Sequence, residues 1–206
     1  MIITFWSDKG GTGKSLLTAM GASWRWPEDS PVVLVDLDPQ GDASEWAARA
    51  GVPCHAPTTP QEAADLIRSL GPGHTVLVDC PPGRLKDQRM AGVGVLAADV
   101  LLLPTGSGRP DLSALGRAIK ALGELAEQGA DLKAGVILNH FRETSRSRVV
   151  EEGLALGKLP FLGRIAERAA YPEAFAEGRS LVDLGGAAAH EAKTLWARIE
   201  NWVLSV

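Results

Sequence analysis

Apolar residues fall into five short, almost unbroken runs: IITFW (2–6), PVVLVDLD (31–38), HTVLVDC (74–80), DVLLLP (99–104) and KAGVILN (133–139). They are continuous rather than alternating and rich in β-branched residues, as strands covered on both faces should be. KLPFLGRI (158–165) is a weaker sixth run. Between them, helical patterns cover residues 14–25, 42–50, 60–70, 111–128, 143–156 and 187–204. Several begin with a helix-start signal, such as Asp42, Pro60 with early acidic residues, or Asp111. The alternation predicts an α/β fold, a mainly parallel twisted sheet flanked by helices on both faces. Ligands in such sheets bind outside the carboxyl ends of the strands. With no repeat, low-complexity tract or linker, residues 1–206 are expected to form a single domain.

Composition narrows the class. A chain of 206 residues with 45% hydrophobic and 22% charged content can bury a full core. Its net charge of −4 argues against a dedicated nucleic-acid coat protein but allows a local basic patch. Cys54 and Cys80 form no paired motif, so a reduced cytoplasmic protein is expected. The opening apolar run is too short for a signal peptide. No run approaches the ~20 residues of a spanning helix, so no membrane association is expected.

The chemistry concentrates at the strand ends. SDKGGTGKS (7–15) lies between the first run and the first helical pattern. Gly10, Gly11 and Gly13 permit a tight turn whose N–H groups, with the helix N-terminus, make an anion site. Lys14 is placed to reach phosphates and Ser15 to ligate Mg²⁺. Two features depart from the G-x-x-x-x-G-K-[ST] phosphate loop. Asp8 stands where the first glycine belongs, and a second lysine, Lys9, lies five residues before Lys14.

Two further strand ends carry acids. VVLVDLDPQGD (32–42) places Asp36 and Asp38 beside the loop, where a metal or attacking water needs them. They share a side if the strand continues, and diverge if Pro39 stops it. HTVLVDCPPG (74–83) ends in Asp79, in the manner of a strand whose aspartate holds Mg²⁺.

KGGTGKS, DLDPQGDAS and VLVDCPPG together resemble the three nucleotide motifs of the ParA/MinD family of deviant Walker A ATPases, the ParA partition branch above all. The resemblance runs from residue 1 to about 140 and continues more loosely beyond. It implies a P-loop NTPase fold in which Asp8 is no obstacle. It implies an ATP/ADP site formed by Lys9, Gly10, Gly11, Thr12, Gly13, Lys14, Ser15 and Leu16, with Asn139 at the adenine. Mg²⁺ would be held by Ser15, Asp36 and Asp79. Lys14 would serve the phosphates of its own subunit, and Asp38 the attacking water. Lys9 would be the signature lysine that reaches the nucleotide of a second subunit. The resemblance therefore implies a homodimer closed by ATP, a catalytic set of Lys9, Lys14 and Asp38, and a ParB-like or other cargo-linked partner.

Later segments leave choices open. Asn139 is read either as a base contact or as an amide capping the next turn. RIAERAAYPEAFAEGRSL (164–181) resembles a family loop, but Ala166 and Glu167 replace the usual proline. Many ParA proteins bind DNA without sequence preference; the candidate cationic positions are Arg142, Arg146 and Arg148, with Arg164, Arg168 and Arg179 further on, and of these Arg142, Arg146 and Arg168 are read as the DNA contacts. Arg142 and Arg146 would share a helix face; the alternative is a solvated face linked to Glu143, Glu151 and Glu152. Residues 102–116 correspond to a region facing the dimer seam, where Arg109 is a candidate.

The tail carries Leu195, Trp196, Ile199, Trp202 and Val203 at helical spacing, with few basic residues. It reads as packing on the domain rather than as a MinD-like membrane helix. The phosphate loop opens the chain at once, so the small form without its own operator-binding domain is expected, cytoplasmic and nucleoid-associated with ATP. The rival functions are a MinD-like membrane-cycling ATPase and a ligase-like metabolic enzyme.

Overall fold

The computed structural model describes residues 1–26 and 30–205. Seven strands form one parallel sheet: β1 (Ile2–Phe5), β2 (Val32–Asp36), β3 (Cys54–His55), β4 (Thr75–Asp79), β5 (Val100–Thr105), β6 (Lys133–Phe141) and β7 (Phe161–Ala166). Their order is β3-β2-β4-β1-β5-β6-β7. The helices are α1 (Lys14–Ser23), α2 (Asp42–Ala50), α3 (Pro60–Leu70), α4 (Arg89–Ala97), α5 (Arg109–Glu127), α6 (Ser145–Ala155), α7 (Ala170–Ala176) and α8 (Gly186–Leu204).

Because successive strand residues point to opposite faces, the sheet divides two cores between its sides. Ile3, Phe5, Leu34, Leu77 and Leu102 pack with α1, α2, α7 and α8. Val33, Val35, Val76, Val78, Leu101 and Leu103 pack with α3, α4 and α5. Such double coverage is why the strands read as unbroken apolar runs.

The tail helix belongs to the first core. Leu195, Trp196, Ile199 and Val203 are buried, and the Lys133 ammonium donates to the Trp202 carbonyl at 2.5 Å. The apolar stripe of α8 therefore packs on the domain. No helix among the described residues is long and apolar enough to cross a membrane.

Some elements differ from the sequence pattern. Helix α4 has no counterpart there, because RMAGVGVLA has two interior glycines and little polar face. Packing supplies what propensity lacks: a Cβ on Gly94 would meet Cys80 Sγ at 2.5 Å, so only glycine permits this approach to the sheet. Strand β3 is two residues long, and α7 is a single short helix within 164–181. Strand β6 extends two residues beyond Asn139 to Phe141, with His140 at φ 53°. Helix α6 starts at Ser145, capped by Thr144 accepting from the Ser147 N–H at 3.1 Å. Arg142 thus lies before that helix and does not share one of its faces with Arg146.

Candidate nucleotide site

The chain passes from β1 to β2 on one side of the sheet, and from β4 to β5 on the other side of β1. This reversal opens a crevice at the carboxyl ends of the central strands, where α/β proteins bind ligands. The glycine loop fills it. Ser7 ties the loop to itself: its hydroxyl donates to the Lys9 carbonyl at 2.7 Å and lies 2.8 Å from the Thr12 hydroxyl. Gly11 and Gly13 take left-handed φ of 73° and 85°, conformations that glycine adopts without cost from a Cβ. Gly13 is also the N-cap of α1, leaving the helix N-terminus free of a side-chain cap.

The two lysines occupy different places. Lys14 is buried at the start of α1. Lys9 is 41% exposed by side chain, and its ammonium pairs with Asp111 in the first turn of α5 at 2.5 Å. Asp8, at the position of the missing glycine, turns inward with its side chain 2% exposed and forms an ion pair with Arg117 of α5. The variant residue thus fastens the loop to a neighbouring helix. No local sequence pattern announces the contacts of Asp111 and Arg117, because each lies more than 100 positions from its partner.

The acids converge from adjacent strands. Asp36 and Asp79 are register partners on β2 and β4. Strand β2 stops at Asp36, so Asp38 lies beyond it in the following loop. One Asp36 oxygen accepts from the Ser44 N–H at 2.8 Å and the Ser44 hydroxyl at 2.7 Å; the other accepts from the Asp38 N–H at 3.0 Å. Burial raises the Asp36 pKa, and these hydrogen bonds oppose the rise. Asp38 accepts from the Gln40 N–H at 3.0 Å, fixing the turn around Pro39.

Asp79 is fully buried and neither carboxyl oxygen has a hydrogen bond of ordinary geometry. Burial pushes its pKa up to about 7, with Asp36 adding to the rise, while the facing Ser15 hydroxyl and Lys14 ammonium hold it down. A buried carboxyl without partners is costly unless a cation or donor answers it. Asp79 opposite Ser15 therefore fits an Mg²⁺ site whose remaining ligands come from phosphate and water. The described residues contain no group of three His, Cys, Asp or Glu side chains able to hold a metal alone.

Asn139 is buried, and its amide donates to the Thr12 carbonyl at 2.9 Å. It also closes on the loop: a Cβ at Gly13 would lie 2.0 Å from Asn139 Nδ2. Beside the loop, a cavity of about 340 Å³ is lined by Lys9, Asp111, His140, Arg142 and Arg146, among others. Of the candidate DNA contacts, Arg142 pairs with Glu167, and Arg168 pairs with Glu191 at 3.1 Å. Arg146 makes no ion pair among the described residues. The salt-linked alternative is realised in part, since Glu143 pairs with Arg148 and Glu151 with the further candidate Arg164.

A parallel sheet with a glycine loop at its switch point, a buried lysine opening the next helix and a buried aspartate on the adjacent strand defines a P-loop nucleotide-binding protein. Residues 3–182 match the CobQ/CobB/MinD/ParA nucleotide binding domain, and the chain belongs to that family. It is 31% identical over 205 residues to the maintenance of carboxysome distribution protein A of Gloeobacter kilaueensis, covering 96% of this chain and 91% of that protein. Its fold is similar to that of a plasmid partition protein of Borrelia burgdorferi B31 solved with AMPPNP (TM-score 0.76, 19% identity, 96% of this chain and 97% of that one). It is also similar to the septum site-determining protein MinD of Pyrococcus horikoshii OT3 solved with Mg-ADP (TM-score 0.71, 22% identity, 100% and 99% covered).

Proposed function

We propose that this protein is an Mg²⁺-dependent ATPase that closes as a nucleotide-sandwich dimer and positions a cargo, binding DNA without sequence preference in its ATP state. The observation that carries the reading is the division between the two lysines. Lys14 is buried at the start of α1, which suits a hold on the phosphates of its own subunit, whereas Lys9 stands half-exposed. A lysine supplied across a dimer would place positive charge on the transferred phosphoryl group only when two subunits meet, which is how such transfer is accelerated.

The other residues fit this division. The left-handed glycines and the open N-terminus of α1 supply N–H groups for the phosphates. Ser15 and Asp79 would hold Mg²⁺, which neutralises charge on the phosphate oxygens when bound. Asp36, saturated by Ser44 and Asp38, supports that site from behind. Asp38 is partly exposed at the start of the turn that follows β2, where a water that it orients can enter. Asn139 already touches the loop through Thr12, and a base contact would extend that role.

Relatives named for partition and for carboxysome distribution support cargo positioning; a cargo-linked partner protein would connect it to the cargo. For DNA, Arg146 is the readiest phosphate contact; Arg142 and Arg168 would exchange Glu167 and Glu191 for phosphates. The apolar stripe of α8 is occupied within the domain, which supports DNA over a membrane as the surface used. Pelleting with DNA and with anionic vesicles, each with and without ATP, tests this. ATP-dependent co-pelleting with DNA alone is expected; ATP-dependent vesicle binding without DNA binding overturns the reading.

A further inference from the structure

A groove of about 570 Å³, separate from the cavity at Lys9, opens between α4, α5 and the segment following Asp79. Its floor is apolar, formed by Trp6, Leu85 and Leu125, and Leu96 of α4 stands at its edge with 62% of its surface exposed. Four cations surround that floor: Arg84, Lys86, Arg117 and Lys120. Only two acids line the groove, and both are engaged. Asp8 pairs with Arg117, and Glu124 lies 3.7 Å from Lys120. Arg84 and Lys86 are exposed and make no ion pair among the described residues. The result is an apolar trough with unmatched positive charge along one rim.

We propose that this groove docks an acidic, amphipathic segment of a partner protein, with apolar side chains on the floor and carboxylates at Arg84 and Lys86. The charge complementarity selects the occupant. An apolar segment would leave the two cations unanswered, and a nucleic acid would satisfy them while laying its phosphates over Leu85 and Leu96.

The groove also touches the nucleotide machinery at two points. Trp6 and Asp8 belong to the stem of the P-loop, and Arg84 to Lys86 follow Asp79 on the next loop. The Trp6 indole, donating to the Gly83 carbonyl at 3.1 Å, already joins the two. An occupant therefore contacts both segments and alters ATP turnover. This coupling rests on the proposed ATPase function; the docking itself does not.

The test uses the full chain without nucleotide. Fluorescence anisotropy is read with a labelled peptide carrying Leu and Glu on opposite faces at helical spacing, and with its counterpart carrying Lys for Glu. The Glu peptide is expected to bind about tenfold more tightly than the Lys peptide. Lys86→Glu and Leu96→Glu are each expected to weaken it by about tenfold, an effect of ~1.4 kcal/mol. Both residues are exposed, and circular dichroism verifies that the variants are folded.

Equal binding of the two peptides, or wild-type affinity in both variants, overturns the proposal. So does displacement of the Glu peptide by a short DNA duplex. Conversion of a nucleotide-free dimer to a monomer by Leu96→Glu would assign the face to a second copy and equally overturn it. ATP turnover without peptide should be unchanged in Leu96→Glu, which lies on α4 outside the nucleotide-binding loops. Peptide binding by a chain that hydrolyses no ATP would sink the proposed function and leave the groove standing.

Discussion

Lys9 and Asp111 form an ion pair, Nζ to Oδ1 at 2.5 Å, that joins the P-loop to the first turn of α5. An acid is well placed there, because the helix dipole favours negative charge at its N-terminus. For Lys9 to reach a second subunit's nucleotide, this pair must open. Both side chains are partly exposed, so the pair stabilises the resting position by at most ~1 kcal/mol. Asp111→Asn is expected to lower the ATP concentration needed for half-maximal dimerisation by up to about fivefold. Sedimentation velocity across an ATP titration reads this; an unchanged midpoint would show that Asp111 does not restrain Lys9.

Asp8 and Arg117 make a different kind of pair. The Asp8 carboxylate is nearly inaccessible and one of its oxygens has no partner. Removing Arg117 leaves that charge buried and unanswered, which is worse than losing both groups. With the guanidinium 43% exposed, Arg117→Ala is expected to cost about 1–2 kcal/mol. The double variant Asp8→Asn/Arg117→Ala should recover part of that loss. Urea denaturation of the four proteins measures the cycle, and equal stability of the single Arg117 variant and wild type would refute the coupling.

Asp79 makes stability depend on pH. Its pKa in the folded, nucleotide-free protein is about 7, against 3.8 for an ordinary aspartate, because of burial. Between those values the unfolded chain has released a proton that the folded chain retains. Stability therefore falls as pH rises from about 4 to about 7, by up to about 4 kcal/mol for this group. Asp79→Asn removes the dependence. Its stability relative to wild type should increase across that range in denaturation experiments without nucleotide or metal. A difference independent of pH would mean that Asp79 ionises as an exposed aspartate does.

Gly13 and Gly11 share a left-handed backbone but differ in surroundings. A Cβ at Gly13 would meet Asn139 Nδ2 at 2.0 Å, whereas nothing lies within 4 Å of one at Gly11. Gly11→Ala is expected to cost roughly 1–2 kcal/mol of backbone strain. Gly13→Ala adds the displacement of Asn139 from Thr12, and should lose more stability together with binding of a fluorescent ATP analogue. Equal losses in the two variants would show that the Asn139 contact contributes nothing.

Much of this architecture was legible because strands buried on both faces must be continuously apolar, and because glycine turns and strand-end acids stand close in sequence. Helix α4 was not, since its two interior glycines serve contact with the sheet rather than helix propensity. Strand β3 is too short to carry a pattern. The pairs Lys9–Asp111 and Asp8–Arg117 join residues brought together only by the fold, so no local spacing announces them. For the same reason the sequence does not name Glu167 and Glu191 as the partners that hold Arg142 and Arg168 in the folded chain. Asp111 was visible only as a helix start.

The central claim is that Lys9 acts on the nucleotide of a second subunit. Sedimentation velocity of Lys9→Ala and Asp38→Ala with ATP and Mg²⁺, alongside phosphate release, tests it most directly. Asp38→Ala should form an ATP-bound dimer that releases little phosphate, and Lys9→Ala should remain monomeric and inactive. A Lys9→Ala protein that dimerises and hydrolyses ATP as the wild type does would contradict the account.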